Sequence, residues 1–155
     1  MSPQAIPVQR LNHAVLFVKD AVESAEFYKQ AFGFEVVQEQ PGAVFLRAAG
    51  SDNHHDLGLF TVGDNPVPRG SIGLYHLAWQ VPSIAYLATA KQTLLELDAY
   101  VGESDHGATK SIYGHDPNGI EFEIMWLLPR DEWGQYAEQA VVEPLDLDAE
   151  IRAHS

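Results

Sequence analysis

The sequence predicts an α+β fold of two paired β-α-β-β-β modules whose strands form a cupped mixed sheet. Two observations predict it. A strand, a capped helix and three further strands follow one another twice along the chain. A histidine also holds the same place in the opening strand of each copy, His13 and His76, 63 residues apart. His13 to Asp20 and His76 to Ser83 are both seven-residue steps. A pattern that recurs in order as well as spacing marks a duplicated supersecondary unit.

In the first copy, residues 11–18 (LNHAVLFV) are a short apolar run rich in branched and aromatic side chains, the signature of a buried strand. Asp20 is placed to cap a helix, with Glu23 completing a capping box. Val22, Ala25, Tyr28 and Phe32 fall on one helical face, and Gly33 stands where a helix stops. Residues 34–39, 43–48 and 55–62 read as strands. A connector with Pro66 and Pro68 follows, and residues 74–81 (LYHLAWQV) open the second copy. Ser83 is the expected cap of a helix carrying Ile84, Leu87, Ala88, Lys91, Leu94 and Leu95 at helical spacing. Strands are expected at 99–102, 110–115 and 120–127. The whole chain, 1–155, reads as one domain with module one at 8–65, module two at 71–129 and a C-terminal arm at 130–155. That arm is acidic, and residues 145–153 have helical pattern.

Composition narrows the function. With 22 acidic and nine basic residues the formal charge is −13. Such a surface repels phosphate backbones, so nucleic acid is not an expected partner. The chain has no cysteine, which removes disulfides, zinc–thiolate sites, iron–sulfur clusters and thiol nucleophiles together. Any metal must be held by histidine and carboxylate. No apolar run approaches a membrane span or a signal peptide, so a cytoplasmic protein is expected, with no membrane partner.

Strand alternation places His13 on a face with Leu11, Val15 and Phe17, and His76 with Ala78 and Gln80. In residues 120–127, Ile120, Phe122, Ile124 and Trp126 share one face, while Glu121, Glu123 and Met125 share the other. A mid-strand carboxylate among core residues is costly to bury unless it is paired or metal-bound. Read singly, a strand histidine or Glu123 is an ordinary core or surface residue; equivalent histidines in two packed modules are another matter. Two imidazoles and one carboxylate form the facial triad of non-haem Fe(II) sites, with open positions for further ligands.

The paired modules, the histidine opening each, and the closing stretch DPNGIEFEIMW (116–126) resemble the vicinal oxygen chelate superfamily, which includes glyoxalases, bleomycin-resistance proteins and extradiol dioxygenases. Within it the chain resembles the type I extradiol, catechol 2,3-cleaving group, over roughly residues 8–133. The resemblance implies a cupped sheet around a metal held by His13, His76 and Glu123, the Asp-Pro-x-Gly turn selecting Glu123 over Glu121. HHDLGLF (54–60) is similar to the segment that carries an acid–base histidine, which maps to His55. Tyr113, ten residues before Glu123, matches a tyrosine that hydrogen-bonds the substrate oxygen, and His106 falls near a further histidine of the family with its spacing slightly off. The implied cofactor is Fe(II), with Mn(II) as an alternative and Zn(II) or Ni(II) for a glyoxalase-like enzyme. The implied partners are a small aromatic diol and dioxygen, in a homodimer or higher homo-oligomer. Glyoxalase-type members add a fourth ligand on the last strand of the first module; here the 63-residue offset lands on Phe60, with Gly58 or Asp56 nearby. A drug-sequestering protein of the same fold is the non-enzymatic alternative. The best-studied ring cleavers carry four modules per chain, against two here.

Overall fold

In the computed structural model, which describes residues 5–155, the chain divides into two compact units, one ending at Asp64 and the other spanning Asn65–Ser155. The first contains β1 (Ala14–Val18), α1 (Ala21–Phe32), β2 (Glu35–Gln40), β3 (Ala43–Arg47) and β4 (Leu57–Thr61). The second repeats that order as β5 (His76–Gln80), α2 (Ala85–Glu96), β6 (Tyr100–Asp105), β7 (Thr109–His115) and β8 (Glu121–Leu127). Two short 3₁₀ turns and α3 (Leu147–His154) make up the arm. The sheets have orders β1-β4-β3-β2 and β5-β8-β7-β6. In each, the first and last strands of the unit run parallel and the other neighbours antiparallel. The duplication reaches fine detail: the second strand of each unit carries a register shift, at Val36/Gln38 and at Tyr100/Gly102. The expected β-α-β-β-β repeat is thus the observed one.

α1 and α2 each cover one face of their own unit's sheet. In α1 the Asp20 carboxylate accepts from the Val22 and Glu23 N–H groups, supplying two of the orphan donors of the first turn. Gly33 ends the helix in the left-handed region (φ 65°), which glycine enters without a Cβ clash. The buried face is Ala21, Ser24, Ala25 and Tyr28, whereas Val22 is exposed. The face expected from apolar spacing is therefore rotated, because close approach to the sheet selects small residues beside Tyr28. Beneath α1 lie Leu16, Val18, Val44, Leu46, Leu57 and Leu59, all buried; each such aliphatic side chain contributes about 1.5–3 kcal/mol by leaving water.

In the second unit α2 packs on β7 and β8, with Ile84, Leu87 and Leu94 of the helix and its entry and Ile112, Phe122, Ile124 and Trp126 of the strands all buried. Ser83 is not the side-chain cap expected of it: the N-cap is Ile84, with no side-chain cap bond, and the Ser83 carbonyl accepts from the Tyr86 N–H instead. Leu95 is exposed rather than part of the apolar face. Strand limits also tighten. Residues 11–13 precede β1 and His55 precedes β4, so both histidines lie at strand entrances. No helix among the described residues is long and apolar enough to cross a membrane.

Candidate metal centre

The turn between β7 and β8 sets the register on which the second unit's polar row depends. Asp116 is buried, and its Oδ1 accepts from the N–H groups of Asn118 and Ile120 at 2.8 and 3.1 Å. Gly119 (φ 78°) completes the reversal in a conformation that a side chain would strain. With the turn so closed, Tyr113 pairs directly with Glu123 and Ser111 with Met125. On the other side of β8, the parallel strand β5 places His76 beside Glu121 and Ala78 beside Glu123. Period-two alternation then puts His76, Glu123, Ser111 and Tyr113 on the sheet face away from Phe122 and Ile124.

These four side chains touch in sequence. His76 Nε2 is 3.1 Å from Glu123 Oε2. The Ser111 hydroxyl donates a short hydrogen bond to Glu123 Oε1. The Tyr113 ring stands edge-on to the His76 ring at 5.8 Å, and its hydroxyl is 2.8 Å from His106 Nε2. His106 Nδ1 in turn lies 2.9 Å from the Val141 carbonyl of the arm. Burial, followed by the adjacent Glu123 carboxylate, pushes the Tyr113 phenol up to about 12, so it stays protonated at neutral pH. Glu123 itself is 9% exposed, and a carboxylate so buried needs the partners that His76 and Ser111 provide.

In the first unit His13 and His55 come together, their ring centroids 4.5 Å apart. His13 Nδ1 is held 2.9 Å from Asn12 Oδ1, and His55 packs edge-on against Phe45. Burial, helped by the neighbouring His13 and His54 rings, lowers the His55 pKa below its ordinary value, so the neutral base is favoured. Asp56 turns away to the loop. Its Oδ2 accepts from the Ala48 N–H, and its Oδ1 from Ser51 and Asn53, each at 2.8 Å. Burial opposes ionisation of this carboxylate, but those donors outweigh it and hold Asp56 below the usual range.

Comparing the two parallel pairings identifies the counterpart of Glu123. Ala78 pairs with Glu123 as Val15 pairs with Gly58. The equivalent residue is therefore Gly58, not the Phe60 to which the constant offset pointed, because β8 is two residues further out of step than β5. A side chain at Gly58 would meet Phe45 at 3.3 Å and Val15 at 3.4 Å. The first unit offers no donor at that place.

Of the residues expected to form the site, His76, Glu123, Tyr113 and His106 are thus joined in the second unit, and His13 and His55 in the first. Among the described residues no group of three or more His, Asp or Glu side chains converges as a metal-holding cluster. Ser111 and Val141 were not legible as site residues. Ser111 has a sequence signal, sharing alternation with Tyr113 in residues 109–115; the Val141 carbonyl has none, since any residue supplies one.

The donor set fits a divalent metal. Two ligands about 2.1 Å from one octahedral ion and at right angles are separated by about 3 Å, close to the observed His76–Glu123 distance. His76 Nδ1 is also buried with no hydrogen-bond partner among the described residues, so the imidazole is not committed to a structural network at both nitrogens. Imidazole and carboxylate together suit Fe(II), Mn(II) or Zn(II).

Two four-stranded mixed sheets, each built by one β-α-β-β-β unit, with a His–carboxylate pair on one face of the second, define an α+β protein of duplicated units. The family model of the Glyoxalase/Bleomycin resistance protein/Dioxygenase superfamily matches residues 10–124, and the chain belongs to that superfamily. Among curated proteins it is 29% identical over 128 residues to the catechol-2,3-dioxygenase of Bacillus subtilis (strain 168), covering 79% of this chain and 43% of that protein. It is 29% identical over 125 residues to the manganese-dependent 2,3-dihydroxybiphenyl 1,2-dioxygenase of Geobacillus genomosp. 3, covering 77% of this chain and 37% of that one. The chain therefore spans less than half the length of these relatives. Among solved structures, a lactoylglutathione lyase from Agrobacterium tumefaciens superposes with a TM-score of 0.60 at 25% identity, covering 78% of this chain and 96% of that one.

Proposed function

We propose that the chain is an extradiol ring-cleaving dioxygenase of catechol-type aromatic diols, dependent on Fe(II) with Mn(II) as the alternative ion. The observation that supports this reading above others is the continuous row His76–Glu123–Tyr113–His106 on one sheet face. In this reading His13, His76 and Glu123 hold the metal, His55 is the acid–base catalyst and Tyr113 hydrogen-bonds the substrate oxygen. The bound metal would act as a Lewis acid that lowers the pKa of the diol and admits dioxygen at an open position. His76 and Glu123 orient that ion, and Ser111 holds the carboxylate rotamer. His55, favoured as the neutral base, takes a proton from the diol and returns it as an acid. Gly58 at the place equivalent to Glu123 favours an open three-ligand set over the four ligands expected of a glyoxalase.

The test is anaerobic loading with Fe(II), addition of catechol and substituted catechols, then admission of air with oxygen uptake and a yellow ring-opened product followed together. Turnover of a catechol supports the reading. Absence of turnover with every catechol, accompanied by activity on a hemithioacetal with Ni(II) or Zn(II), would overturn it in favour of the glyoxalase-type activity suggested by the lyase superposition. Failure to retain any metal would point to a sequestering protein. Glu123→Ala is expected to abolish metal retention, and His55→Ala to retain metal while losing rate.

A further inference from the structure

The C-terminal arm does more than pack against the second unit. It is tied to the β6–β7 hairpin at the residues that flank His106. Asp105 and Glu143 exchange two backbone hydrogen bonds of 2.9 Å. Gly107, left-handed at φ 78°, receives the Tyr136 ring so closely that a Cβ there would lie 2.4 Å from it. Asp105 Oδ1 accepts from the Gly107 N–H at 2.8 Å and from buried Lys110 at 2.7 Å, and Lys110 also reaches Glu150 of α3 at 3.5 Å. Between these anchors the Val141 carbonyl is presented to His106 Nδ1 at 2.9 Å.

A carbonyl oxygen only accepts, so Nδ1 must carry the proton in that bond. In a neutral imidazole the other nitrogen is then bare, and a group 2.8 Å from it must donate. The group is the Tyr113 hydroxyl, whose proton is thereby committed to His106. Its oxygen remains as an acceptor toward whatever is held at His76 and Glu123. We propose that the arm is a positioning element: the Val141 carbonyl fixes His106 as the Nδ1–H tautomer, and His106 sets Tyr113 to receive a hydrogen bond from a ligand hydroxyl. That the ligand is a substrate diol rests on the dioxygenase reading; the tautomer does not. Water in place of Val141 would both donate and accept, and would leave the tautomer unspecified.

The test is long-range ¹H–¹⁵N correlation on the metal-free 155-residue chain labelled at histidine, recorded where the ring is neutral, with His106 assigned by the signals lost in His106→Gln. The wild-type chain should show Nδ1 protonated and Nε2 bare. Tyr113→Phe should leave that pattern unchanged, since the carbonyl and not the phenol sets it. Glu143→Pro removes the N–H that the Asp105 carbonyl accepts from, and should turn the pattern into a mixture of tautomers. Tyr136→Ala, which releases the arm at Gly107 without a proline, is the second variant should Glu143→Pro fail to fold. A wild-type Nε2–H tautomer, a switch in Tyr113→Phe, or an unchanged pattern in both folded arm variants would overturn the proposal. No turnover enters this measurement, so its failure and that of the catechol assay are separate outcomes.

Discussion

Tyr113 and Glu123 stand directly opposite each other across the β7–β8 ladder, and the carboxylate is one of the two main reasons the phenol resists ionisation. Burial is the larger reason. In the metal-free chain Tyr113 should ionise at about 12. Glu123→Gln removes the charge and keeps the shape, so the midpoint should fall toward the ordinary 10 without reaching it. Ultraviolet titration of wild type and Glu123→Gln, each referenced to its Tyr113→Phe counterpart, isolates this group. A wild-type midpoint near 10 would contradict the assignment.

Ser111 is fully buried and spends its hydroxyl on Glu123 Oε1. Groups that orient a metal ligand are typically worth one to two orders of magnitude in affinity. If Glu123 holds the metal as proposed, Ser111→Ala should weaken metal binding by roughly ten- to hundredfold, with little change in the sheet around it. Competition against a chromophoric chelator measures the effect, and an unaltered dissociation constant would remove Ser111 from the site.

Asp56 serves the fold of the first unit. Three donors converge on a buried carboxylate, and Asp56→Ala leaves them unsatisfied. The loss should be about 2–4 kcal/mol in urea unfolding. Because its folded pKa lies below the ordinary 3.8, its contribution is present above that value and lost as pH falls through the folded one. The acid limb of the stability profile should flatten in Asp56→Asn.

His154 has the opposite sign. Burial would lower its pKa, but the Glu132 carboxylate at 2.9 Å and the Glu150 backbone and side chain outweigh burial and raise it above 6.5. The ring also packs on Trp126, with centroids 5.0 Å apart. The contribution of this ion pair is complete below pH 6.5 or so and declines as pH rises through the folded value. Amide exchange in α3 should therefore be slower at about pH 6 than at about pH 9 after correction for intrinsic rates. His154→Gln should abolish that difference.

The duplicated β-α-β-β-β order, the capped first helix and the polar alternation of the closing strand could be read from the sequence. Each depends on neighbours along the chain: an Asp at an N-cap, a glycine able to enter the left-handed region, side chains that alternate every second residue. His76 was legible through the repeat it shares with His13, Glu123 through strand alternation together with the family resemblance, and Tyr113 through that resemblance; the Asp116–Gly119 turn keeps the register between Tyr113 and Glu123 local. The features that could not be read there depend on partners far apart in sequence. A constant offset matched Glu123 with Phe60, and only the pairing of β1 with β4 and of β5 with β8 selects Gly58. The buried face of α1 turned to Ser24 because the sheet's proximity, not hydrophobicity alone, selects what fits. His106 was legible as a histidine near the row, but its tautomer is written in a backbone carbonyl 35 residues away. A carbonyl has no letter in the sequence, and only the folding of the arm onto the hairpin puts it there.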